Sequence, residues 1–183
     1  MLNGITLGIV MIVVLLAGAF VLTLMINAFL IPLFKTPKSV LSEIVDIMNP
    51  QKEDHIVDLG SGDGGILFKT YRQSGCKCTG YDISPIMLII ARTKRILQFP
   101  LNGNDFEFEA EDIFRVNLEK YTKVYCYLDE KSMGILKEKL EKFVKKGGEV
   151  YSYRYRIEGI GDERRVVLNN GKELYIYRGK EGE

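Results

Sequence analysis

The first 34 residues of this chain contain no Asp, Glu, Lys, Arg or His. All 25 Lys and Arg and all 24 Asp and Glu of the 183-residue chain follow Phe34. The composition therefore averages two unlike parts. Ile5 to Ile31 is a continuous uncharged stretch dominated by apolar side chains. A helix of about 20 residues crosses a bilayer, so this one is long enough with some tilt. A domain of the size that follows would not hide so many apolar residues in one core helix. A cleaved signal peptide has a basic start and a shorter apolar core, and neither is present here. The expectation is one uncleaved transmembrane anchor over residues 1–34 and one domain over residues 35–183. Lys35 and Lys38 are the first basic residues past the apolar run. By the positive-inside rule, the anchor is single-pass and the domain lies on the cytoplasmic side of the membrane.

Those later residues suffice for one ordinary core and not for a two-domain enzyme. The formal net charge is +1, whereas a general nucleic-acid binder is usually basic, so no nucleic-acid partner is expected. Cysteines are few and odd in number: Cys76, Cys78 and Cys126. That excludes a disulfide scaffold and fits a reducing compartment. Cys76 and Cys78 point the same way on a strand and suit a buried face. With His55 the only histidine, no metal site is expected.

Hydrophobic periodicity places alternating helices and strands. Val40, Leu41, Ile44, Val45, Ile47 and Met48 have helical spacing, closed by Asn49-Pro50. His55 to Leu59 reads as a strand running into Gly60-Ser61-Gly62-Asp63-Gly64-Gly65, then a helix to about Gly75. Cys76 to Tyr81 is a second strand, and Ser84-Pro85 opens a helix to about Phe99. Strands follow at Phe106 to Ala110, Val124 to Leu128 and Glu149 to Ile157, with a helix from about Ser132 to Lys145. Val166-Val167-Leu168 and Glu173 to Tyr177 flank a turn at Asn169-Asn170-Gly171 and form a β-hairpin. The class is α/β with a mostly parallel sheet and a C-terminal antiparallel hairpin. Arg92, Lys94 and Arg95 form a basic cluster that reads as a solvated helix face.

The informative segment is Val57-Asp58-Leu59-Gly60-Ser61-Gly62-Asp63-Gly64. Ligands of α/β sheets bind beyond the carboxyl ends of strands. Glycines there let the backbone bend and approach a ligand, and the next helix offers free N–H groups. Asp82 closes the following strand, where a carboxylate can accept bonds from ribose hydroxyls. Gly60-x-Gly62-x-x-Gly65 also matches the dinucleotide pattern. Asp58, two residues before Gly60, argues instead for a cationic group such as an amino-acid ammonium.

Asp58-Leu59-Gly60-Ser61-Gly62-Asp63-Gly64 resembles motif I of the class I (seven-strand) S-adenosylmethionine-dependent methyltransferases. Thr36-Pro37-Lys38, Gly80-Tyr81-Asp82-Ile83-Ser84-Pro85, Asp112-Ile113-Phe114-Arg115-Val116-Asn117-Leu118, Leu136-x-x-Lys139-Leu140 and Val150-Tyr151-Ser152-Tyr153-Arg154 narrow the likeness. They are similar to the small protein-lysine methyltransferases that include the mitochondrial enzyme acting on the ATP synthase c-subunit and soluble archaeal relatives. The resemblance runs from about Leu33 to Tyr177. It implies a Rossmann-like, doubly wound sheet and S-adenosyl-L-methionine as cofactor. It implies further that Asp58 meets the methionine ammonium and that Gly60, Gly62 and Gly64 give backbone room. Asp82 would hold the ribose hydroxyls, with Ile83 beside it. Asp112 would take the adenine amine with Ile113 against the ring, and Thr36 would reach the cofactor from the pre-domain segment. Three positions depart from the family: Asp82 replaces the usual Glu, Gly65 stands where Arg is common, and Leu128-Asp129-Glu130 replaces an apolar residue and Pro.

The function implied is N-methylation of a protein lysine, with a membrane protein among the candidate substrates. Methyl transfer from a sulfonium needs alignment and a neutral amine, not an enzyme nucleophile. Asp129 or Glu130 would orient that amine or take its proton. Tyr125, Tyr127, Tyr153 and Tyr155 would line its channel. Two alternatives stand beside this reading: methylation of a lipid or other small amphiphile, and a cofactor-binding module whose catalysis has lapsed. A nicotinamide oxidoreductase is the outsider.

Overall fold

The computed structural model describes residues 4–30, 35–100 and 105–179. The end of the apolar run at Ile31 and the expected boundary at Phe34 lie outside the described residues. The chain divides into two compact units, Met1–Leu33 and Phe34–Glu183.

The first unit contains α1 (Gly4–Leu30), a helix of 27 residues. Its Gly4–Thr23 segment is long and apolar enough to cross a membrane, and none of it is buried within the protein. Its large side chains, among them Val14, Leu15 and Leu16, face outward. A helix apolar on every side has no solvated face.

The second unit begins with α2 (Lys38–Met48), β1 (His55–Leu59), α3 (Gly65–Ser74), β2 (Lys77–Asp82), α4 (Pro85–Gln98) and β3 (Phe106–Ala110). It continues with β4 (Lys123–Cys126), α5 (Glu130–Lys145), β5 (Glu149–Tyr153), β6 (Asp162–Val167) and β7 (Glu173–Arg178). Seven strands form one sheet in the order β3-β2-β1-β4-β5-β7-β6. The pairs from β3 to β5 are parallel. β7 enters antiparallel between β5 and β6.

Each face of the sheet carries its own core. Strand alternation sends Ile56 to one face and Val57 and Leu59 to the other. Val40, Ile44, Val45 and Met48 of α2 join Leu67, Phe68, Leu88 and Ala91 on the first face. Met133, Leu136, Leu140, Phe143 and Val144 of α5 cover the second. Cys76 and Cys78 are buried in the first core with their sulfurs 3.9 Å apart.

Several boundaries differ from the periodicity reading. β5 ends at Tyr153, not Ile157, because Arg154 takes φ +73° and turns the chain. Ile157 and Ile160 then fold back onto the α5 core. β4 ends at Cys126, two residues early, and Asp129 caps α5 ahead of the expected start. β6 begins at Asp162, before the apolar Val166-Val167 pair. Its charged residues Asp162, Glu163, Arg164 and Arg165 are exposed at the sheet edge, where charge discourages further pairing.

Leu140 is fully buried between α5 and the sheet. Leu140→Ala should destabilise the domain by about 2–5 kcal/mol through the cavity it leaves, measured by urea unfolding of detergent-solubilised protein followed by tyrosine fluorescence.

Candidate active site

Strand order reverses at β1, with β2 on one side and β4 on the other. In open α/β sheets, the carboxyl edge at such a reversal is where ligands bind. The loop from Gly60 to Gly64 leaves β1 at that edge. The N–H groups of Gly60 and Ser61 both donate to the Tyr81 carbonyl at 2.9 Å, folding the loop against β2. Gly60, Gly62 and Gly64 have φ of +88°, +51° and +77°, conformations glycine adopts without strain. A Cβ on Gly60 would meet Leu128 Cδ2 at 2.9 Å, whereas one on Gly62 would meet nothing within 4 Å. The loop is thus packed behind and open in front.

Asp58 is the centre of the site. Parallel register puts it between Gly80 of β2 and Tyr125 of β4, with Phe108 of β3 beyond Gly80. Gly80 puts no side chain of its own beside Asp58, and the place a Cβ would take is crowded by Phe108 Cδ1 at 2.9 Å. It also accommodates Ser61, whose Oγ would lie 2.6 Å from a Cβ there and has no partner among the described residues. Asp58 is 4% exposed, and its carboxylate has no hydrogen-bond partner among the described residues. Burial pushes its pKa well above the ordinary carboxyl value, and the Asp82 and Asp63 charges add to the rise.

Asp82 fastens the loop to the next helix. Its Oδ2 accepts from the Gly62 N–H and its Oδ1 from the Ser84 N–H, both at 2.8 Å. Ser84 caps α4. Each Asp82 oxygen keeps a second lone pair for a ligand hydroxyl. Ile83 projects beside it, 70% exposed. Thr36 Oγ1 lies 2.7 Å from the Tyr125 hydroxyl, so the segment ahead of α2 closes over the face that holds Asp58. Asp63 turns away and takes an ion pair from Lys35 and another, at 2.7 Å, from Lys94. Burial alone would raise the Asp63 pKa; the two lysines outweigh it and hold the carboxyl below its ordinary value.

The remaining residues share the carboxyl edge without touching these. Asp112 and Ile113 follow β3. Asp112 opens no helix: its Oδ1 accepts from the Phe114 N–H at 2.9 Å, and Arg115 approaches at 3.8 Å. Ile113 packs on the α5 core. Asp129 follows β4 and accepts from the Ser132 N–H and Oγ, both at 2.9 Å. The Ser132 N–H bond holds its pKa below the ordinary value. Glu130 is the first residue of α5 and is exposed. Among the described residues, no group of three or more His, Cys, Asp or Glu could hold a metal ion. Sequence reasoning overlooked the packing of Ser61 and Phe108 against Gly80 and the Lys35–Asp63–Lys94 clamp. Only the register and the fold of the loop reveal them.

The bend thus sets the buried Asp58 carboxylate and the loop-fastening Asp82 carboxylate at one sheet edge, with open space over Gly62. A seven-strand sheet of this order, with a glycine loop at its carboxyl edge, is the fold of a class I S-adenosylmethionine-dependent methyltransferase. Residues 58–164 match the family described as the ANTKMT methyltransferase domain. A protein-lysine N-methyltransferase from Saccharolobus islandicus (strain REY15A) is 25% identical over 153 residues, 80% of this chain and 92% of that protein. A lysine N-methyltransferase of the ATP synthase c-subunit from Caenorhabditis elegans is 29% identical over 92 residues, 50% of this chain and 47% of that one. An RNA methyltransferase from Salinibacter ruber, solved with S-adenosyl-L-homocysteine, superposes with a TM-score of 0.72 at 26% identity, covering 81% of this chain and 95% of that one. The chain belongs to the ANTKMT methyltransferase family, and its cofactor is S-adenosyl-L-methionine.

A raised pKa means that ionised Asp58 destabilises the ligand-free domain at pH values above that of an unfolded aspartate, about 3.9. Asp58→Asn should raise the ligand-free melting temperature while weakening cofactor binding at least about tenfold, roughly 1.4 kcal/mol. In the wild type, a bound cationic group favours the ionised form. Cofactor affinity should therefore fall as pH drops through the raised Asp58 pKa, with proton release on binding seen by calorimetry in buffers of different ionisation enthalpy.

Proposed function

We propose that this protein is a membrane-anchored protein-lysine N-methyltransferase, with α1 as the anchor over residues 1–34 and the methyltransferase domain over residues 35–183. The observation that carries the lysine assignment is the alignment along most of both chains with the archaeal protein of that name. The site supports it: a buried acid beside Gly80 and Tyr125, an aromatic wall and no enzyme nucleophile in evidence. Lys35 and Lys38 favour a domain on the cytoplasmic side.

When bound, the cofactor supplies an electrophilic methyl group on a sulfonium. Asp58 receives the methionine ammonium, Gly62 leaves its path clear while Gly60 and Gly64 hold the bend of the loop, and Asp82 accepts from the ribose hydroxyls with Ile83 alongside. Asp112 accepts from the adenine amine, Ile113 covers the ring, and Thr36 closes the entrance. The amine of the acceptor must shed its proton first, since its reference pKa is about 10.4. An apolar channel and a neighbouring positive charge both favour the neutral amine. Tyr125, Tyr127, Tyr153 and Tyr155 provide that lining. The Tyr127 ring meets Tyr153 at 4.8 Å edge-to-face, and Arg154 donates to the Tyr127 hydroxyl at 2.8 Å. Asp129, held ionised as a helix cap, orients the amine; Glu130 is the candidate proton acceptor.

Incubating the full chain and labelled S-adenosylmethionine with membranes of its own cells should label protein at lysine. Label in the organic extract would instead indicate an amphiphile, and label in RNA a substrate like that named for the Salinibacter enzyme. Cofactor binding without any turnover would indicate lapsed catalysis. Asp82→Ala should weaken cofactor binding at least about tenfold, since charge-assisted hydrogen bonds contribute about 1.5–3 kcal/mol each. Asp129→Asn keeps a good cap and removes the charge. Turnover should fall while the melting temperature holds; unchanged turnover would leave Asp129 a cap and nothing more.

A further inference from the structure

We propose that the outer face of α4 is a membrane-docking surface that rests on an anionic bilayer, an inference that builds on the anchored reading above. α4 turns Leu88 and Ala91 into the core. Its opposite side carries Ile86, Ile89, Ile90, Thr93, Ile96 and Leu97. At the angular spacing of an α-helix these six fall within an arc of about 120°. Ile89, Ile96 and Leu97 are 62%, 59% and 76% exposed, and Ile86 and Ile90 are half-buried. Thr93 is the only polar residue of that arc. A helix packed on a sheet normally turns charges outward, and a contiguous exposed apolar face needs an occupant.

The charges of α4 select that occupant. The helix holds Arg92, Lys94 and Arg95 and no acid. Arg92 lies at one edge of the arc, donating to the Phe108 carbonyl at 2.6 and 3.0 Å, a neutral partner that leaves its charge in place. Lys94 lies at the other edge, donating to Asp63 at 2.7 Å. An apolar stripe with basic flanks is the pattern of a helix lying in the plane of an anionic membrane interface. A second copy of the chain on this face would bring like charges together.

The path of the chain points the same way. Asp63 binds Lys94 of α4 and also Lys35, so the first described residue of the domain is held beside α4. α4 starts at Pro85, three residues after Asp82 at the carboxyl edge. Docking this helix therefore holds the rim of the methyl-transfer site against the membrane, within reach of a lysine at its surface.

Spin labels on the full chain test this, since all three native cysteines are buried. Val14→Cys, Leu97→Cys and Glu138→Cys are labelled singly and reconstituted into vesicles of mixed phosphatidylcholine and phosphatidylglycerol. Collision rates with oxygen and with a nickel chelate report lipid and water exposure. The expected result is lipid-like exposure at Val14 and Leu97 and water-like exposure at Glu138 on α5. Lipid at Val14 with water at Leu97 would overturn docking and leave the anchor intact. Water at both would overturn the anchored reading and docking with it. Shielding of Leu97 from both reagents means cover by protein and would also overturn docking. In a further variant, Ile89→Glu with Leu97→Glu should return a label at Ile96→Cys to water; a label that stayed in lipid would show that this face does not govern contact.

Discussion

One carbonyl organises the site. The Tyr81 oxygen accepts both the Gly60 and the Ser61 N–H, and this shared bond bends the chain sharply where β1 ends. The bend brings Gly62 onto Asp82 and leaves its outer side open. It is possible only because the glycines take positive φ and because Gly80 leaves room for Ser61. Without this bend, the acids of β1 and β2 would edge an ordinary strand–helix turn rather than a loop tied to Asp82 and open over Gly62.

Gathering carboxylates in one place has an electrostatic cost that the structure distributes unevenly. Asp63 is neutralised by two lysines, and Asp82 is satisfied by two backbone N–H groups. Among the described residues Asp58 has neither, and it is buried. Burial and the neighbouring Asp82 and Asp63 charges therefore both disfavour its ionised form, and a positive charge placed beside it would relieve both. Strain of this kind is common where a fold serves chemistry instead of stability.

Much of the fold could be read from periodicity. The two-residue alternation of β1, the spacing of α2 and α5, and the Ser84-Pro85 start of α4 each have a local cause. The readings that missed had non-local causes. β5 stops at Tyr153 because Arg154 turns and sends Ile157 to another core, which an apolar run cannot reveal. β6 begins in charged residues because it is an edge strand, and edges tolerate what central strands cannot. The basic cluster of α4 read as a solvated face; Arg92 is exposed, Lys94 and Arg95 are half-buried, and exposed Ile89, Ile96 and Leu97 share the outer side.

The sequence alone determined the division into an apolar segment and a charged domain, the alternation of helices and strands, and the identity of the glycine and acid residues at the loop. These follow from the order of side chains along a few turns or strands, which is local information. Tertiary structure decided the strand order, the placement of Asp58 between Gly80 and Tyr125, and the closing of Thr36 onto Tyr125. It also decided that Lys35 and Lys94 share Asp63. Those pairings join residues distant in the chain, and only the register of packed strands and the burial of two cores select them from the many that the residue types would permit.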